Sequence, residues 1–109
     1  MKLLQRAIRT RAERNERERL AVRTRLRAAL EEVLPSGSRV WLYGSLTKPG
    51  RFSEASDIDF ALEREPEDRS IFDLMGRIAE RTGREVDLAL LGETRLREMI
   101  LREGEPWTV

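Results

Sequence analysis

Gly44, Ser45, Asp57, Asp59 and Asp87 are of types, and at spacings, that could do chemistry together. Gly44-Ser45 leaves the β-rich run Ser38 to Tyr43, Asp57-Ile58-Asp59 opens an alternating run to Glu63, and Asp87 lies in a second alternating run, Glu85 to Leu91. Period two puts Asp57 and Asp59 on one strand face about 7 Å apart, and a neighbouring strand about 4.8 Å away can bring Asp87 beside them. Three carboxylates then meet at one end of a sheet. Two of them at ~4 Å repel by about 4 kcal/mol at an effective dielectric of 20, so the cluster calls for a cation or raised pKa values. The chain has no His and no Cys, and oxygen-only ligands select Mg²⁺ or Mn²⁺ over zinc. A carboxylate trio with open metal positions suits in-line phosphoryl or nucleotidyl transfer. Gly44 would let a phosphate approach the backbone, and Ser45 offers a hydroxyl and an amide at a predicted helix N-terminus. Lys48 and Arg51, in the loop that follows, could neutralise a triphosphate.

Each feature also has a plainer reading. Asp57 and Asp59 could be solvated residues of an edge strand, although Asp is disfavoured within strands. Asp87 could simply mark a sheet face, Gly44-Ser45 a turn and cap, and Lys48 and Arg51 ordinary loop charges. Trp41, Tyr43, Phe60 and Phe72 are expected in the core. Trp107 is open between a core lid and a partner contact.

The elements that must position these residues follow from periodicity. Residues 3 to about 34 hold no Gly or Pro and read as a helix ended by Pro35-Ser36-Gly37. From Arg9 to Arg19 it is almost entirely charged or polar, so the segment must project from the body or break near Asn15, with Glu/Arg pairs such as Glu13 with Arg17 along it. Ser38 to Tyr43 and Asp57 to Glu63 read as strands, the second half-buried with Ile58, Phe60 and Leu62 on its apolar face. A helix follows with Ile71, Phe72, Met75, Ile78 and Ala79 at helical spacing, Asp68 or Ser70 as its cap and Gly83 as its stop. Glu85 to Leu91 is a third strand. Thr94 to Arg102 is a last helix, with Leu96, Met99 and Ile100 inward, closed by Gly104. The fold class is α/β (α+β), a small mixed sheet flanked by helices with an extra long N-terminal helix.

Composition narrows the function. Without Cys or His there is no disulfide, thiolate chemistry or Ser/His/Asp triad. Charged residues make up 38% with a net charge of +1, which does not suit a bulk polyanion binder. That total hides a split: residues 1–34 carry ten basic groups against five Glu, a balance of +5, and the rest carries eleven against fifteen, a balance of −4. No apolar run is long enough to span a membrane and no signal peptide is evident, so a cytoplasmic location is expected.

Tyr43-Gly44-Ser45, eleven intervening residues, Asp57-Ile58-Asp59-Phe60 and the later Val86-Asp87-Leu88 resemble the signature of the polymerase-β-like nucleotidyltransferase superfamily. The small size and the C-terminal Ile100-Leu101-Arg102-Glu103-Gly104 resemble its minimal nucleotidyltransferase branch. The resemblance covers residues 38–104. It divides the chain into an Arg-rich helical segment, 1–34, and a minimal nucleotidyltransferase domain, 35–109. It implies that Asp57 and Asp59 bind both metals, that Asp87 helps bind the catalytic metal and activate the acceptor hydroxyl, and that Gly44, Ser45 and Lys48 bind the nucleotide. Relatives commonly carry Gly-Ser-x-Ala-Arg-Gly; here Lys48 stands where Arg is usual and the Gly is one place later, at Gly50.

A chain of this length has no second domain to hold an acceptor, so the acceptor is expected on another macromolecule or at a subunit interface. Minimal nucleotidyltransferases of this kind are typically paired with an all-helical HEPN-domain RNase toxin. The resemblance therefore implies an antitoxin that uses Mg²⁺ or Mn²⁺ to transfer AMP from ATP to a Tyr hydroxyl of a HEPN toxin. The alternatives are an antitoxin that neutralises its partner by binding alone, or nucleotidyl transfer to RNA or a small molecule. Direct nucleic-acid binding is not expected, because Glu13, Glu16 and Glu18 dilute the basic helix.

Overall fold

A computed structural model describes residues 2–109. The elements are α1 (Lys2–Val33), β1 (Arg39–Tyr43), a single 3₁₀ turn η1 (Gly44–Thr47), β2 (Ile58–Leu62), α2 (Ile71–Thr82), β3 (Val86–Leu90), α3 (Arg97–Glu103) and β4 (Glu105–Thr108). The four strands form one mixed sheet in the order β3-β2-β1-β4. β1 runs antiparallel to both β2 and β4, while β2 and β3 are parallel, joined by α2 as a crossover needs.

One sheet face carries Val40, Leu42, Ile58, Phe60, Leu62 and Leu88, packed against Val22, Leu26, Leu30 and Val33 of α1 and Leu74 and Ile78 of α2. The other carries Trp41, Tyr43 and Ala61, covered by Leu91 and Ile100. β2 is therefore buried from both sides rather than half-buried. The small α3 that covers the second face begins at Arg97, later than the Thr94 the periodicity suggests, and Leu96 lies exposed before it.

Ser70 caps α2 by accepting from the Asp73 amide, and Gly83 ends it in the left-handed conformation at φ 72°. Phe72 does not join the core: it is 77% exposed, on the solvent side of α2. The Trp107 tail is an edge strand whose buried indole lies on the α1 side of the sheet.

α1 is unbroken. Its residues from Lys2 to Arg14 are all exposed, and its buried stripe runs Arg19, Val22, Leu26, Ala29, Leu30, Val33. The helix thus leaves the body near Asn15, and its second half packs into the core through Val22, Leu26, Leu30 and Val33. Projection gives the molecule extents of 55 × 28 × 20 Å. Its ion pairs within the helix include Arg19 with Glu16 and Arg27 with Glu31, and not Glu13 with Arg17. Among the described residues no helix is long and apolar enough to cross a membrane.

Candidate active site

Strand register builds the site. Tyr43 is the partner of Asp59 across β1 and β2, and Asp59 is the partner of Asp87 across β2 and β3. Partners in register point to the same face, so Tyr43, Asp59 and Asp87 form a row across the sheet. α3 and Leu91 cover Trp41 and Ala61, further along this face. Asp59 is half-buried and Asp87 exposed at the uncovered end. Asp57 lies one residue before β2, exposed, and reaches the cluster from the rim.

The electrostatics register this crowding. Burial, then the charge of Asp87, then that of Asp57, push the Asp59 carboxyl up to about 6. Burial with Asp87 and Asp59 nearby pushes the Tyr43 phenol up to about 12. Among the described residues no basic side chain pairs with any of the three carboxylates, and no group of three forms a ready-made cation cage.

Gly44 fits the row with no room to spare. Its φ is +77°, and a Cβ built there would stand 2.6 Å from Asp59 Oδ2. Only glycine satisfies both the backbone conformation and the carboxylate's approach. Ser45 follows in η1, partly exposed; the turn is closed by Thr47 Oγ1 donating to the Gly44 carbonyl at 2.8 Å, and Leu46 anchors it in the core. The predicted helix N-terminus at Ser45 is thus a single 3₁₀ turn. Lys48 stands just beyond its C-terminal end, exposed. The structure brings together Gly44, Ser45, Asp59 and Asp87, with Asp57 at their edge and Lys48 beyond the turn.

Arginines far off in sequence hold the two loops of the site. Arg19 and Arg23 of α1 both donate to the Leu46 carbonyl, at 2.9 and 3.3 Å. Arg84 donates to the carbonyls of Ser53, Glu54 and Ser56 at 2.9 to 3.1 Å and lies over the Phe52 ring, fixing the segment that delivers Asp57. In the sequence these are three arginines among nineteen. The one local signal was Arg19 falling in step with Val22, Leu26 and Val33.

A mixed sheet with an open acidic end beside a Gly-Ser turn, backed by two helices, is the nucleotidyltransferase fold. The model of the family described as "Polymerase beta, Nucleotidyltransferase" matches residues 28–106, so the chain belongs to that family. Two solved structures share the fold. One is a toxin–antitoxin crystal structure with AMP-PNP, in which the matching chain is 22% identical with a TM-score of 0.62, covering 79% of this chain and 73% of that one. The other is the toxin–antitoxin MntA–HepT, at 19% identity and a TM-score of 0.58, covering 83% and 73%. No curated protein matches the sequence significantly.

Proposed function

We propose that this chain is an antitoxin that transfers AMP from ATP to a tyrosine hydroxyl of a partner HEPN toxin. The observation that carries the chemistry is the Asp59–Asp87 register pair at the open end of the sheet with Gly44 packed against Asp59. The toxin–antitoxin setting of both similar structures, one with AMP-PNP, supports the partner and the nucleotide.

The donor set fits a hard divalent cation. All three side chains offer oxygen, none pairs with a cation among the described residues, and Asp59 is forced up to about 6 by burial and its acidic neighbours. Mg²⁺ characteristically takes one or two carboxylates and completes its shell with phosphate oxygens and water. Asp57, Asp59 and Asp87 would hold it, and when bound it neutralises the charge on the triphosphate and on the departing pyrophosphate.

Gly44 and Ser45 seat the triphosphate, with Lys48 as a further cation at the loop. Asp87, exposed at the end of the row, stands on the acceptor side, where it would take the phenolic proton as general base. The phenolate oxygen bonds to the α-phosphorus as the bond to pyrophosphate breaks, leaving an AMP-tyrosine ester.

Labelled ATP with Mg²⁺ and the co-expressed partner tests the reading. Asp57→Asn and Asp59→Asn, each folded, should abolish labelling, a loss of at least roughly 100-fold as expected for electrostatic stabilisation of a charged transition state. Undiminished labelling by both overturns the mechanism. The exposed Leu3, Leu4 and Ile8 of the projecting helix favour a second reading, neutralisation by contact alone. Toxin rescue would then tolerate Asp57→Asn and fail without the helix.

A further inference from the structure

We propose that Arg19, supported by Arg23, is a positioning residue of the nucleotide site: it fixes the Gly44–Thr47 turn through the Leu46 carbonyl and so sets where Ser45 stands relative to Asp59. The inference rests on the nucleotide reading above and adds to it a role for α1.

Arg19 occupies a place where the core stripe of α1 would accept an apolar side chain. It is 7% exposed and continues the series Val22, Leu26, Ala29, Leu30, Val33 toward the turn. A charge there is costly to bury unless paired and hydrogen-bonded. Arg19 meets both conditions: Nε and Nη2 donate to the two oxygens of Glu16 at 2.8 and 2.7 Å, leaving Nη1 aimed at the Leu46 carbonyl at 2.9 Å.

The carbonyls at the end of a helical turn have no partner within it, and here two guanidiniums supply one. Arg23 is itself braced. It makes a fork with both oxygens of Glu105 on β4, at 2.9 and 2.5 Å, and Trp107 Nε1 donates to the same carboxylate at 2.6 Å. The turn is therefore fastened to α1 and, through Glu105, to the edge strand.

Stability alone does not account for this arrangement. Glu16, the ion-pair partner of Arg19, is partly exposed, and a pair with a solvent-exposed partner contributes little to stability. What Arg19 offers beyond a leucine or methionine is a directed donor on a carbonyl one residue after Ser45. The turn is thus closed by Thr47 on the Gly44 carbonyl and fastened to α1 through the Leu46 carbonyl.

The test uses the full chain, AMP-PNP with Mg²⁺, and three measurements: thermal unfolding, amide hydrogen exchange over residues 45–47, and the Kd by calorimetry. Arg19→Met should unfold within a few degrees of the wild type. It should exchange these amides about tenfold faster and bind AMP-PNP about tenfold more weakly, the effect of losing one charged hydrogen bond. Arg19→Lys, which keeps a charge and a donor, should recover part of both. If Arg19→Met does not fold, Arg19→Lys and Arg23→Gln carry the same comparison.

Unchanged exchange at 45–47 overturns the clamp. Faster exchange with an unchanged Kd overturns its bearing on the nucleotide. A wild-type chain that binds no AMP-PNP overturns the nucleotide reading and the positioning role with it, an outcome distinct from both because it appears without any substitution.

Discussion

At the residue scale, the site stores unfavourable charge that a cation can relieve. The Asp59 carboxyl, ordinarily near 3.8, is pushed up to about 6, so between about pH 4 and 6 the folded chain keeps a proton that the unfolded chain has released. Stability from this group is full below pH 4 and is lost as pH rises through 6. Asp59→Asn removes the penalty. In metal-free buffer it should be more stable than the wild type by about 1–2 kcal/mol at pH 7.5, the full shift being discounted for partial solvent screening, with the difference vanishing toward pH 4. Thermal melts in EDTA at the two pH values measure this, and equal midpoints at pH 7.5 would contradict the charge balance drawn for the site. Gly44→Ala tests the same row sterically. The +77° φ and a Cβ 2.6 Å from Asp59 Oδ2 should cost about 1–3 kcal/mol and lower AMP transfer at least tenfold by displacing the carboxylate. Gly50→Ala is the control: its φ is also positive, +88°, but nothing lies within 4 Å of the added Cβ, so the backbone cost should appear without loss of transfer.

At the scale of elements, the parts with strong periodicity are legible in the sequence. Ile58, Phe60 and Leu62 alternate with Asp59 and Ala61, and that alternation by itself places the carboxylate on the face opposite the main core. Ser70 and Gly83 bracket α2 by cap chemistry alone. What is not legible depends on contacts between elements. Glu105-Pro106-Trp107-Thr108 carries a proline, which speaks against a strand, yet β4 lies at the sheet edge where a missing N–H is tolerated. Phe72 fits the apolar spacing of α2 but falls on the side that no neighbour covers. The second core, Trp41 with Ala61 and Ile100, escapes a reading of periodicity because it requires α3 to fold back on the face that also carries the acids. Arg19, Arg23 and Arg84 are hidden for a related reason. Their partners are backbone carbonyls 27, 23 and 28 to 31 residues away, and a carbonyl leaves no mark in the sequence.

At the scale of the whole molecule, charge and shape divide together. Lys2–Arg14 is exposed throughout and carries Lys2, Arg6, Arg9, Arg11 and Arg14 against Glu13, a balance of +4, whereas the body holds the uncovered acidic end of the sheet. Removing Lys2–Arg14 changes the formal net charge from +1 to −3. The same segment exposes Leu3, Leu4 and Ile8, so it presents both apolar contact and positive charge without contributing to either core. Deletion should therefore leave the unfolding midpoint within a few degrees, since Asn15, a favourable capping residue, would begin the shortened helix. Binding of AMP-PNP with Mg²⁺ should also persist, because Arg19 and Arg23 remain on the turn. Association with the partner should weaken, and its rate should become less sensitive to salt as the positive arm is lost. Calorimetry for the nucleotide and surface plasmon resonance for the partner, at roughly 50 and 300 mM salt to span the range of screening lengths, separate the two functions. Loss of nucleotide binding on deletion would mean that the arm serves the site, whereas unchanged partner affinity would place the docking surface on the body.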